Sequence, residues 1–112
     1  MLFNDEPVET PTLAVSDVSP RFQSLADGVR LFVVGTVRNT SSHDASRIWF
    51  RVRVLNNGGK VIDSLLLQEE GLVAPSGKSV EFRVSGWLSV PSTEAARTEV
   101  VVERARAATR WD

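Results

Sequence analysis

Two neighbouring runs constrain this chain more than anything else in it. Val33-Val34-Gly35-Thr36-Val37-Arg38-Asn39 is rich in β-branched residues and ends on polar ones. After a polar stretch comes Ile48-Trp49-Phe50-Arg51-Val52-Arg53-Val54-Leu55, which alternates strictly. Ile48, Phe50, Val52 and Val54 take one side of that run, and Trp49, Arg51, Arg53 and Leu55 take the other. A period of two is the signature of a half-buried strand. Asn56-Asn57-Gly58-Gly59 follows, supplying residues that tolerate positive φ, as a hairpin turn demands. Together the runs predict two long strands, over 29–39 and 47–56, with a return strand over 60–67.

The rest of the chain adds strands rather than helices. Leu13, Val15 and Val18 predict a short first strand closed by Ser19-Pro20. Residues 21–28 carry Phe22 and Leu25 and end on Asp27-Gly28, which predicts a loop plugging one end of the core. Ala74-Pro75-Ser76-Gly77 is a turn. The run 79–87 alternates again, with Val80, Phe82 and Val84 inward. Residues 88–96 form a loop with room for one helical turn, and 98–104 is the last strand. The predicted fold is therefore all-β, an immunoglobulin-like antiparallel sandwich of six to seven strands. The domain occupies 12–104, between an extended lead at 1–11 and a tail at 105–112 that is a frayed continuation or a short helix. Gly35, in mid-strand, predicts a bulge or a close backbone approach. Leu65-Leu66-Leu67 breaks the alternation and reads as buried on both faces or as a contact.

A chain of 112 residues is one domain, large enough to hold a core without staples. That matters because it contains no cysteine, which excludes disulfides and thiolate chemistry and fits a reducing compartment. The 13 basic and 14 acidic residues nearly cancel, which argues against a nucleic-acid footprint. No run approaches a membrane helix. The N-terminus lacks a signal-peptide pattern, so a cytoplasmic location is expected unless the chain is processed from a longer one. Eleven of the bases are arginine, the basic residue best suited to interfaces.

The first run, with its partners, resembles the FxLYD family among small bacterial immunoglobulin-like domains. Val33, Gly35, Val37 and Asn39 match its first strand element. Phe50, Val52, Val54, Leu55, Asn56, Gly59 and Val61 match the second, with Leu55-Asn56 in place of an aromatic-acid pair. Leu72, Pro75, Gly77 and Phe82 match the third, with one extra residue between Pro75 and Gly77. The resemblance spans residues 29–86. It implies a sandwich fold and a binding or assembly role, and it carries over no catalytic residue.

Chemistry is poorly served by the remaining residues. His43 is the only histidine, and Ser42-His43-Asp44 cannot form a triad, because sequence neighbours do not reach that geometry. Glu69, Glu70 and Asp63 lack the ligand spacing of a calcium loop. Gly58-Gly59-Lys60 lacks the rest of a phosphate-binding loop. Asn39-Thr40-Ser41 fits the N-glycosylation pattern, but a side chain bonding its own turn is the reading preferred here. No catalytic residue, cofactor or metal ligand is expected.

What remains is surface. If Val33, Gly35 and Val37 point inward, Phe32 and Val34 point outward. If Phe50, Val52 and Val54 point inward, Trp49 and Leu55 point outward beside Arg51 and Arg53. Tryptophan and arginine are enriched at binding hot spots, though an arginine stem stacked on Trp49, or Arg51 and Arg53 paired with Glu81 or Glu103, would account for the same residues. Arg110 and Trp111, in the tail, either tuck back or anchor a partner. The expectation is a non-catalytic interaction module, an accessory subunit docking on a larger protein assembly, membrane complexes included. The alternative is a periplasmic or secreted ligand-binding domain with a concave site between its sheets.

Overall fold

A computed structural model describes residues 12–107. The expectations placed on the lead at 1–11, on Arg110 and on Trp111 lie outside the described residues. Six strands follow in order: β1 (Leu13–Leu25), β2 (Gly28–Asn39), β3 (Ala45–Leu55), β4 (Val61–Gln68), β5 (Ser79–Leu88) and β6 (Arg97–Ala107), with a 3-10 turn at Ser92–Glu94 before β6. They form two three-stranded antiparallel sheets, β1-β2-β5 and β4-β3-β6. This is an all-β sandwich.

The two runs that open the sequence argument are the two central strands. Leu31, Val33 and Val37 of β2 face Ile48, Phe50, Val52 and Val54 of β3, and every one of these is at most 1% exposed. Phe82 of β5 completes the centre. Its ring stacks on Phe50 with centroids 4.2 Å apart and planes 18° from parallel. In its own sheet Phe82 pairs with Gly35, where a Cβ would stand 2.7 Å from its Cζ. Gly35 is a glycine because an aromatic ring occupies the space of a side chain. The backbone beside it also departs from regularity: β1 carries a bulge between Ser16 and Ser19, with Asp17 at φ 54°.

Polar bonds lock the end of the sandwich where β2 passes into β3. Asn39 is fully buried. Its Nδ2 donates to the carbonyls of His43 and Ala74, both at 2.8 Å, while its Oδ1 accepts from the Ser41 amide and hydroxyl. Its backbone binds Lys78 and Gly77. A buried amide with every donor and acceptor used is a strong specifier of one loop geometry. At the opposite end, Asn56 Oδ1 accepts from the amides of Gly58 and Lys60 and so builds the β3–β4 hairpin.

The structure corrects two expectations. The first strand does not stop at Pro20 but runs to Leu25, so residues 21–25 are strand rather than plug. An edge strand leaves one row of amides without a sheet partner, so proline is tolerated there. Leu55, expected on the outside, is only 5% exposed, because the ladder to β4 shifts between Val54 and Leu55 and ends the alternation. Of the two readings of the tail, the strand continuation describes residues 105–107, since β6 runs to Ala107. The leucine run is divided: Leu65 and Leu67 pack on the core, against Gly86, while Leu66 lies half-exposed opposite Arg51.

Candidate functional site

The residues weighed for chemistry are engaged in holding loops and edges. The His43 carbonyl accepts from Asn39, and its ring meets the Ser42 hydroxyl at 3.3 Å. Asp44 accepts from the Ser76 amide. Glu69 and Asp63 accept from the amides of Arg83 and Ser89, both at 2.7–2.8 Å. Those two amides lie at the free margin of β5 and just past its end, so the carboxylates protect an edge against pairing with another chain. Among the described residues no group of three His, Asp or Glu side chains is placed to hold a metal ion, and no helix is long and apolar enough to cross a membrane.

The outward-pointing candidates do not form one surface. Phe32 and Val34 stand on the outer face of β1-β2-β5, whereas Trp49, Arg51 and Arg53 stand on the outer face of β4-β3-β6. The two sets lie on opposite sides of the sandwich.

On the second sheet Arg51 is fully engaged, whereas among the described residues Arg47, Arg53 and Arg106 make no ion pair, and Arg47, Trp49, Arg104 and Arg106 line a groove of about 380 Å³. The Arg51 guanidinium grips Glu103 through Nε and Nη2, each at 3.0 Å, and its Nη1 reaches Ser64. Arg51 holds the Glu103 carboxyl below its ordinary range, first through these hydrogen bonds and then through its charge, aided by Arg53 and Arg104. The Arg104 guanidinium lies 5.4 Å over the Trp49 ring. Arg53 sits between Ser64 and Glu99 in register.

The first sheet carries a longer run of the same kind. Its outward rows run across three strands: Gln23, Arg30 and Trp87; then Arg21, Phe32 and Ser85; then Ser19, Val34 and Arg83. Arg21 and Arg30 lie over the Phe32 ring at 5.3 and 5.8 Å, and Arg30 also lies 5.2 Å over Trp87. Arg30 is fixed by a 2.9 Å bond to Ser85 Oγ. Trp87 remains 45% exposed. Among the described residues no carboxylate pairs with Arg21, Arg30 or Arg38, and Arg83 meets Glu81 at 3.5 Å with both side chains well exposed. A groove of about 490 Å³ opens here, lined by Ser19, Arg21, Phe32, Val34, Arg83 and Ser85 and bordered by Gln68 of β4.

Comparison with protein-family models, with curated proteins and with solved structures yields no match.

Four residues of this face, Arg21, Arg30, Arg83 and Trp87, escaped the sequence reading. The alternation of 79–87 placed Arg83 outward, but nothing showed that β5 is the neighbour of β2. That pairing crosses about 50 residues of chain and brings Trp87 beside Arg30. Arg21 was hidden by the expected loop.

Proposed function

We propose that this domain is a non-catalytic interaction module that docks on a larger protein assembly, membrane complexes included, through the outer face of β1-β2-β5. One observation carries the reading: a contiguous row of arginines and aromatic rings, Arg21-Phe32-Arg30-Trp87, is preorganised by cation–π stacking and stands half-exposed. Arginine and tryptophan are enriched at binding hot spots, and stacking fixes the guanidinium while leaving its N–H groups available.

The strand order supports an immunoglobulin-like assignment. Named in that scheme, β1, β2 and β5 are A, B and E, and β4, β3 and β6 are C′, C and F. This is compatible with the FxLYD resemblance and with an accessory, binding role. The rival ligand-binding reading calls for a concave site between the sheets. That space is filled by the Phe50–Phe82 stack, and the groove lies on the outside.

The test is co-purification of the tagged full chain from its native cell under mild crosslinking. Arg30→Glu with Trp87→Ala is expected to remove the protein species that co-migrate with the wild type, while the far-ultraviolet circular dichroism and melting profile of the domain persist. Trp49→Ala, on the opposite face, is expected to retain them. Unchanged partners in the double variant, with loss in Trp49→Ala, would transfer the docking role to the second sheet.

A further inference from the structure

We propose that the groove between Arg21 and Arg83 receives an extended acidic segment of the partner protein, with two carboxylates flanking one apolar side chain. The inference rests on the interaction-module reading and adds the chemistry of what is bound.

The register sets the geometry. Arg21 pairs with Phe32 from the β1 side, and Arg83 pairs with Val34 from the β5 side. Strands lie about 4.8 Å apart and same-face residues about 6.8 Å apart along a strand, so the two arginine Cα atoms stand diagonally about 12 Å apart. An extended peptide carries same-face side chains at i, i+2 and i+4, and its first and last are about 13 Å apart. Carboxylates at i and i+4 therefore match the spacing of the two arginines, and the side chain at i+2 falls on Val34, beside the Phe32 ring that Arg21 and Arg30 cover. Arginine binds carboxylate through paired N–H donors. Ser19, Ser85 and the Gln68 amide border the groove and offer further hydrogen-bonding groups to the peptide backbone.

Charge selects the sign of the ligand. Arg21, Arg30, Arg38 and Arg83 stand on the outward rows of this sheet with Glu81 among them, and Glu69, whose carboxylate accepts from the Arg83 amide, is a second acid at the margin of the groove. The Arg83–Glu81 contact is a loose surface pair, of the kind that contributes little and yields readily to a better acceptor. The apolar floor selects a protein segment over a polyanion. Phe32 is covered by Arg21 and Arg30 rather than free to stack a base, and the nearly balanced charge of the chain, −1, lacks the clear basic surplus that binding of nucleic acid calls for.

Fluorescence anisotropy on the full chain decides the matter. The probe is a labelled, end-capped peptide with the core Glu-Ser-Leu-Ser-Glu, compared with its Gln-Ser-Leu-Ser-Gln counterpart. The glutamate peptide is expected to bind at least tenfold more tightly. Arg21→Glu and Arg83→Glu are each expected to weaken it about tenfold or more, while Arg53→Glu on the opposite face leaves it unchanged. Equal binding of both peptides, insensitivity to the two arginine variants, or no binding at millimolar peptide overturns the ligand class. Tighter, Arg21-dependent binding of a single-stranded oligonucleotide or of phosphatidylglycerol vesicles overturns it in favour of those polyanions. If the peptide fails while Arg30→Glu with Trp87→Ala still removes the native partners, only the ligand chemistry is wrong. If both fail, the docking face itself is wrong.

Discussion

Phe82 fits between Gly35, its cross-strand neighbour, and Phe50, on which its ring stacks at 4.2 Å from the opposing sheet. One ring thereby links the two central strands, and the absence of a side chain at position 35 makes room for it.

Gly35→Ala is expected to destabilise the domain by about 1–3 kcal/mol, the usual cost of overpacking a core. The added Cβ would stand 2.7 and 2.8 Å from two ring atoms of Phe82 and 3.3 Å from the Ser16 carbonyl. Phe82→Leu alone costs a comparable amount, through the cavity and the lost stacking. Urea unfolding of both single variants and the double variant gives the coupling. The account expects Gly35→Ala to cost clearly less when Phe82 is already leucine; strict additivity would break the link.

Asn39→Ala is expected to be among the most damaging polar substitutions in the chain. It leaves the buried Ser41 amide without its acceptor, at a cost of about 1–3 kcal/mol, and takes from the Ala74 carbonyl one of its two donors, the Ala45 amide remaining. Thermal unfolding measures the loss. Because the Asn39 amide is buried and fully bonded, the chain secreted from a glycosylating host is expected to show no glycan on Asn39 by intact mass.

Glu103 supplies a pH signature. Arg51 depresses its carboxyl pKa from the ordinary value of 4.5, so the folded state holds this proton less tightly than the unfolded chain. The stabilisation is fully present above the ordinary carboxylate range and is lost as pH falls through the lower folded value. The advantage of wild type over Glu103→Gln in urea unfolding is therefore expected to be constant near neutrality and to shrink below about pH 4.5. Because the pair is solvent-exposed, the difference should be small and should shrink further in high salt. A difference that grows on acidification would reverse the sign of the coupling.

Much of the fold was legible because it is written in local patterns. The alternation from Ile48 to Val54, the hairpin residues Asn56 to Gly59 and the strand around Gly35 each carry their conformation in adjacent residues. Pro20 misled, since proline reads as a stop until the strand is known to lie at an edge. Leu55 misled because a register shift, which no pattern announces, turned it inward. The candidate surface was half-legible for a related reason. Facing directions follow from parity within a strand, so Phe32, Val34, Trp49, Arg51 and Arg53 were placed outward correctly. Which of them share a face depends on sheet membership, and that is fixed by contacts between distant strands. Arg30 and Trp87 meet only because β5 returns beside β2.

The most direct measurement is site-specific photocrosslinking of the full chain in its native cell, with the photoreactive residue placed at Val34 on one face and at Arg53 on the other. The account predicts that position 34 captures a defined partner protein, that Arg21→Glu abolishes this product, and that position 53 yields none. Capture from position 53 alone, or a product at position 34 indifferent to Arg21→Glu, would contradict it.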